Sequence, residues 1–247
     1  MGDFLDFRNE TPHPVRSMTQ SLRHELHRRI LPGHAALAAQ FFKSGAGEYG
    51  EGDRFLGIRV PDIRAVSKLD DGKSDIRELL HSPWHEERFL ALLVLVRRFE
   101  RGNAAVQKTV FDFYLSSTPW INNWDLVDVS AYKIVGSHLL DRPRTPLWKL
   151  AASKILWEQR IAIVSTFAFI RQGDLAETFA LSVHFLDSPQ DLIHKACGWM
   201  LREAGKRDSR QLVDFLDTHR LSMPRTMLRY AIEKFPEHLR KHFLSRQ

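Results

Sequence analysis

The chain has 247 residues, 43% of them hydrophobic and 27% charged, with a formal net charge of +6. This composition suits one large globular domain or two small ones, and it excludes disordered and collagen-like chains. The longest apolar run, residues 89–96, falls far short of the roughly 20 residues that cross a bilayer, and the acidic start Met1-Gly-Asp-Phe-Leu-Asp-Phe7 lacks the basic and apolar regions of a signal peptide. With Cys197 as its one cysteine, the chain forms no intrachain disulfide and no cysteine-based zinc site, so a cytoplasmic monomer with no membrane partner is expected.

Residues 1–16, with Pro12, Pro14 and few apolar anchors, read as a flexible tail, and residues 17–247 as a single domain. Helical periodicity then runs almost to the end, predicting helices over 17–30, 34–43, 61–68, 84–100, 103–115, 124–139, 146–156, 158–172, 175–185, 190–205, 209–218, 224–235 and 236–244. Their stops have mechanisms: Leu31-Pro-Gly33, Asp187-Ser-Pro189 and Ser222-Met-Pro224 place proline where it can open a helix but not continue one. Helix pairs at a spacing of about 40 residues predict an all-α solenoid of HEAT type, with antiparallel pairs and a concave face that would cradle something long.

Along the chain, His24 and His27 lie three apart without a third ligand nearby, and no metal is expected. Gly45-Ala-Gly47-Glu-Tyr-Gly50 matches the dinucleotide-binding fingerprint letter for letter. It follows a helix rather than a strand, however, and Glu48, Glu51 and Asp53 would repel a pyrophosphate, so it reads as a loop and no cofactor is expected. In Pro119-Trp-Ile-Asn-Asn-Trp-Asp-Leu-Val-Asp128, a cap at Asn122 or Asn123 puts Trp124 and Asp128 four apart on one helical face. Asp125 fits the role of a first-turn carboxylate favoured by the helix dipole, whereas Asp128 lies a full turn in and capping explains it poorly.

Arg160 opens an apolar helix, either as a phosphate clamp or as the partner of a carboxylate. Farther on, Ile193, Ala196, Cys197, Met200, Leu201 and Ala204 form an apolar face that makes Cys197 a small core residue. Lys195, Trp199, Arg202 and Lys206 form a basic stripe with an indole in it. That stripe is either a solvated face around a buried tryptophan or a groove for phosphates that offers a ring to a base or a cationic lesion. Arg225 and Arg229 lie four apart at the start of another helix, whose free amides favour anions. Residues 195–247 carry 12 basic and 6 acidic side chains while the preceding 194 residues carry 24 of each, so the whole excess charge sits in the last fifth. Such asymmetry suits either a polyanion, nucleic acid before membrane, or a solubilising face.

Taken together, Tyr49-Gly-Glu-Gly-Asp53 followed by Phe55-Leu-Gly-Ile58, Asn122-Asn-Trp-Asp-Leu-Val-Asp128, Trp157-Glu-Gln-Arg-Ile-Ala162, His194-Lys-Ala-Cys-Gly-Trp-Met-Leu-Arg-Glu203 and Met223-Pro-Arg-Thr-Met-Leu-Arg-Tyr230 resemble the bacterial AlkD-like DNA alkylation repair glycosylases. The resemblance implies a HEAT-like solenoid wrapped on duplex DNA and the excision of cationic alkylpurines such as 3-methyladenine and 7-methylguanine, without a pocket that swallows the base. It implies a catalytic carboxylate at Asp128, cleft tryptophans at Trp124 and Trp199, and a backbone-binding arginine at Arg160.

The chemistry is coherent with those residue types. A cationic purine is already a good leaving group, so one ionised carboxylate that stabilises an oxocarbenium-like sugar and orients a water is sufficient. Arg160, Lys195, Arg202, Lys206, Arg225 and Arg229 are then phosphate contacts that position the duplex without reading its sequence. No lysine nucleophile stands out beside Asp128, which predicts a monofunctional enzyme of base excision repair. Two rivals remain: a non-catalytic solenoid that binds branched or damaged DNA, and a protein-binding HEAT scaffold, against which the basic C-terminal segment argues.

Overall fold

The computed structural model describes residues 18–245, and the tail expected over residues 1–16 lies outside them. Among the described residues the fold is all-α, with no strand and one isolated bridge between Arg54 and Trp84. The helices are α1 (Met18–His27), α2 (His34–Phe41), α3 (Val60–Ser67), α4 (Arg77–Leu80), α5 (His85–Arg101), α6 (Ala104–Ser116), α7 (Trp124–Ala131), α8 (Thr145–Ala151), α9 (Leu156–Ser165), α10 (Phe167–Arg171), α11 (Ala176–His184), α12 (Asp191–Arg207), α13 (Ser209–His219), α14 (Arg225–Ala231) and α15 (Glu237–Leu244). A 3-10 turn, Thr118–Trp120, precedes α7, and a π-helical turn, Tyr132–Gly136, continues it.

The helices α5, α7, α9, α12 and α14 pack side by side in that order. His85 at the start of α5 bonds Asp125 in the first turn of α7, and Arg160 of α9 bonds the Leu192 carbonyl in the first turn of α12. At the other end, Glu100 in the last turn of α5 meets Lys133 just beyond α7. The row is therefore parallel, with its N-termini along one edge. Because α6, α8, α11 and α13 pack against this row and carry the chain back between its members, the architecture is solenoid-like. The most enclosed member is α5, where thirteen of seventeen residues are buried. An apolar sequence all round, Phe89-Leu-Ala-Leu-Leu-Val-Leu-Val96, suits a helix covered on every side.

Among the predicted helices that end differently in the structure, three do so for a clear local reason. The helix expected over 158–172 breaks between α9 and α10, where Ser165 and Thr166 turn their hydroxyls back on the Ile161 and Ile163 carbonyls at 2.6 and 2.7 Å. The helix expected over 146–156 stops at Ala151. Ser153 then accepts the Ile155 amide at 3.1 Å, and Leu156 starts the next helix instead. The helix expected over 124–139 becomes π-helical at Tyr132. Its Gly136 lies so close to α9 that a Cβ there would stand 2.2 Å from the Ser165 carbonyl oxygen. A single turn, α4, has no counterpart in the periodicity, being too short to show one.

Candidate active site

The candidate site lies on the N-terminal edge of the parallel row. Asn123 caps α7, its side-chain oxygen accepting the Trp124 amide at 2.9 Å. One turn on, Asp128 meets Arg160 from α9 through two parallel bonds, Nε to Oδ1 at 3.0 Å and Nη2 to Oδ2 at 2.8 Å. The third arm of the same guanidinium, Nη1, donates to the Leu192 carbonyl at 2.7 Å, tying α7, α9 and α12 through one side chain. Of the two readings open for Arg160, the structure displays the partner of a carboxylate. Its side chain is 7% exposed and that of Asp128 20%, so the carboxylate is the member of the pair that solvent reaches. Burial lifts the Asp128 carboxyl above the usual aspartate range; the Arg160 charge opposes this and Asp125 adds to it.

Trp124 is half-buried, with one face stacked on Phe42 at 5.4 Å and its edge toward Phe41. Phe42 in turn stacks on Phe55 at 5.3 Å and against the His85 ring at 4.7 Å. Trp199 stands apart from this stack, on α12. It reaches Asp128's helix through a row of rings, Trp199 to Phe167 at 6.2 Å and Phe167 to Tyr132 at 5.2 Å, Tyr132 being one turn beyond Asp128.

Beneath the site lies a charged network that sequence reasoning missed. Asp53, 1% exposed, accepts from His85 Nδ1 at 2.8 Å and from Asn123 at 3.3 Å, and it pairs with Arg88. His85 Nε2 meets Asp125 at 2.9 Å, so the role of Asp125 extends beyond the helix dipole. Burial alone would lower the His85 pKa, but the two flanking carboxylates raise it to about 9, and the imidazole is a cation at neutral pH. Glu86, the next residue, gathers the amides of Leu56, Gly57 and Ile58 at 2.8, 2.8 and 3.2 Å. The only hint of this network in the sequence was the density of charge in His85-Glu-Glu-Arg88 immediately before an apolar run.

The remaining residues of interest are placed as follows. Each cation of the α12 stripe is paired with a carboxylate: Lys195 with Asp191 at 2.8 Å, Lys206 with Glu203 at 2.7 Å, and Arg202 with Glu203 and Glu233. Arg225 donates to the Leu244 carbonyl at 3.1 Å, which directs it toward α15, while Arg229 is exposed. The residues of α14 that face α12 are instead Thr226 and Tyr230. The Gly198 position is so tight that a Cβ there would lie 2.5 Å from both the Met227 carbonyl oxygen and the Tyr230 Cβ. Cys197 is buried, and burial raises its thiol pKa strongly, which is the condition of an inert core residue. His27 Nε2 bonds the Glu87 carboxylate at 2.6 Å, and among the described residues no cluster of side chains is arranged for a metal ion. Nor is any described helix long and apolar enough to cross a membrane.

Comparison with known proteins gives the class to which this solenoid-like all-α fold belongs. The family model described as DNA alkylation repair enzyme matches residues 22–235. The chain belongs to that family, and DNA is the partner that membership implies. Among solved structures, a predicted DNA alkylation repair enzyme from Enterococcus faecalis is similar in fold, with a TM-score of 0.65 and 17% identity over 83% of this chain and 96% of that one. Among curated proteins none matches.

Proposed function

We propose that the chain is a monofunctional DNA glycosylase that hydrolyses the N-glycosidic bond of cationic alkylated purines, 3-methyladenine and 7-methylguanine, in duplex DNA. The observation that carries this reading is the Asp128 carboxylate, gripped at both oxygens by Arg160 yet still open to solvent beside Trp124. As the bond from C1′ to purine N9 lengthens, its electron pair moves to the purine and cancels the lesion's charge, while positive charge develops on the sugar. An ionised Asp128 lies where it stabilises that charge. Water then adds to C1′ and gives up its proton, for which a carboxylate of raised pKa is a better acceptor than an ordinary aspartate. The products are a neutral base, an abasic sugar and a proton.

Trp124 has one face covered by Phe42 and in this reading offers the other to the cationic nucleotide. In the same reading Trp199, linked to the end of α7 through the rings of Phe167 and Tyr132, is the second tryptophan that meets the DNA. Arg160 acts first as the orienting partner of Asp128, its guanidinium engaged with that carboxylate and with the Leu192 carbonyl. Lys195 is no candidate for a Schiff base: the Asp191 carboxylate raises its pKa and keeps it an ammonium. That supports base release without strand cleavage. The half-open carboxylate favours attack on a nucleotide that is not drawn into a deep pocket.

The test is release of free 7-methylguanine from methylated duplex DNA by the wild type beside Asp128→Asn. Release that disappears in the variant with DNA binding retained is the expected outcome. No release by either protein, with tight and salt-sensitive DNA binding, would instead identify a non-catalytic binder of branched or damaged DNA.

A further inference from the structure

The segment between Lys43 and Asp53 mimics a nucleotide fingerprint in sequence, but its structure serves another end. Its acidic side chains are turned on the loop itself: Glu48 accepts the Gly45 amide and Glu51 the Gly47 amide, each at 3.0 Å. The amides a pyrophosphate would need are thus occupied. At one end the loop is anchored by buried Asp53 on His85, Arg88 and Asn123. In the middle, Gly50 is pressed so close to the chain that a Cβ would stand 2.4 Å from the Phe42 carbonyl oxygen and 3.3 Å from Asn123 Nδ2. A surface loop held by a buried ion network and a close backbone contact is a fixed part of the fold.

What the anchored loop delivers is Tyr49. The loop crosses the first turns of three helices in the parallel row: Gly50 lies on the cap of α7, and the Tyr49 ring meets Trp157, in the first turn of α9, edge-on at 6.1 Å. Lys195 stands in the first turns of α12, which Arg160 of α9 reaches through the Leu192 carbonyl, and Tyr230 of α14 packs against α12 at Gly198, one turn beyond Lys195; both phenols are among the groups that bear on that ammonium. Neither hydroxyl has a hydrogen-bond partner among the described residues. Lys195 has only Asp191, 58% exposed, as its counter-charge, and an exposed pair of this kind is readily exchanged for another anion. Lys195 lies one helical turn from the carbonyl that Arg160 uses to brace Asp128, with Tyr49 on the neighbouring first turn of α9 and Tyr230 on the neighbouring α14.

We infer that Tyr49, Lys195 and Tyr230 form a clamp for one phosphodiester of the damaged strand, beside the nucleotide at Asp128, with Tyr49 as a substrate-positioning residue supplied by the loop. The clamp rests on the glycosylase reading for its strand and its lesion, but not for its chemistry, since phenols, ammonium groups and phosphate oxygens are ordinary partners in DNA contacts. Phosphate displaces Asp191 from Lys195 and takes the two hydroxyl donors in place of water.

The test is binding of full-length protein to a duplex that carries a tetrahydrofuran abasic analogue, which no glycosylase can cleave. Tyr49→Phe keeps the ring on Trp157 and removes only the hydroxyl, so its thermal unfolding should match the wild type. Its affinity should fall by about tenfold, the worth of one hydrogen bond to a charged group, with the slope of log K against log salt unchanged. Lys195→Gln should weaken binding and reduce that slope by about 0.9, the release of one counterion. Replacing the flanking phosphates one at a time with neutral methylphosphonates should reveal one position at which both penalties vanish together. Equal binding by Tyr49→Phe and wild type, or penalties that no single methylphosphonate removes, would overturn the clamp. Because the probe cannot be cleaved, the binding result stands whether or not the wild type releases a base, and equal binding by the variants overturns the clamp without touching the wild-type base-release result.

Discussion

In the proposed reaction Asp128 must be ionised, and two opposed forces act on that charge. Burial disfavours it and Arg160 supports it, with the balance leaving the carboxyl above its usual pKa. Activity that needs the carboxylate is present above that raised value and lost as the pH falls through it. The acid limb of base release should therefore lie at higher pH than an ordinary aspartate would give. Arg160→Gln removes the supporting charge while leaving the burial, so the limb moves up again; single-turnover release measured from about pH 4 to about pH 8 reads this directly. The same variant strands a largely buried carboxylate, at a cost on the order of 3 kcal/mol by urea unfolding. Adding Asp128→Asn should return part of that stability, because the pair no longer needs a counter-charge. If Arg160 were only a phosphate contact, its loss would leave both the acid limb and the stability where they were. In the sequence the Trp124 and Asp128 spacing was legible from helical arithmetic. That Arg160 bonds Asp128 was not, since the partners lie 32 residues apart and only the packing of α7 on α9 joins them.

At the scale of elements, α7 is placed by what lies behind it. Asp125 and the loop-ending Asp53 both bond His85, and Asn123 bonds Asp53 in turn; His85 is 2% exposed and has a pKa raised to about 9. The native state therefore holds a proton on His85 that the unfolded chain releases near pH 6.5. Its contribution to stability is complete below that pH and is lost as the pH rises through about 9. Each tenfold gain in proton affinity on folding is worth about 1.4 kcal/mol, which makes the contribution on the order of 3 kcal/mol. Urea unfolding at pH 6 and at about pH 9.5 should show the wild type weakening on the alkaline side and His85→Gln, already weaker at pH 6, showing much less of that decline. An unchanged pH dependence in the variant would mean the proton resides elsewhere. Most helices were legible because their apolar stripes and proline stops are local. The π turn at Tyr132, the break at Thr166 and the single turn α4 were not, for each is decided by hydroxyl back-bonding, a close helix contact or brevity rather than by period.

For the whole molecule, the sequence placed the net charge in the last fifth of the chain, and the structure shows how that charge is held when no DNA is present. Lys195, Arg202 and Lys206 are each engaged with carboxylates along α12 and α14. Pairs at an open surface contribute about 0 to 1 kcal/mol, whereas a phosphodiester that takes the same cation also frees a condensed counterion. The stripe is thus suited to exchange Asp191 and Glu233, its exposed partners, for the backbone of a duplex. The exchange has a cost, because the displaced carboxylates stay close by and repel the incoming phosphates. Removing that repulsion should help DNA: Glu233→Gln is expected to tighten duplex binding by about two- to fivefold at moderate salt, on the scale of one surface ion pair. The gain should shrink as salt screens the repulsion. The combined loss of Lys195, Arg202 and Lys206 should instead lower the salt slope by about 0.9 for each cation that truly meets a phosphate. A glutamate variant with no effect on DNA, together with a shallow salt slope in the wild type, would move the basic stripe out of the DNA groove and leave it as a solvated face whose charges are satisfied among themselves.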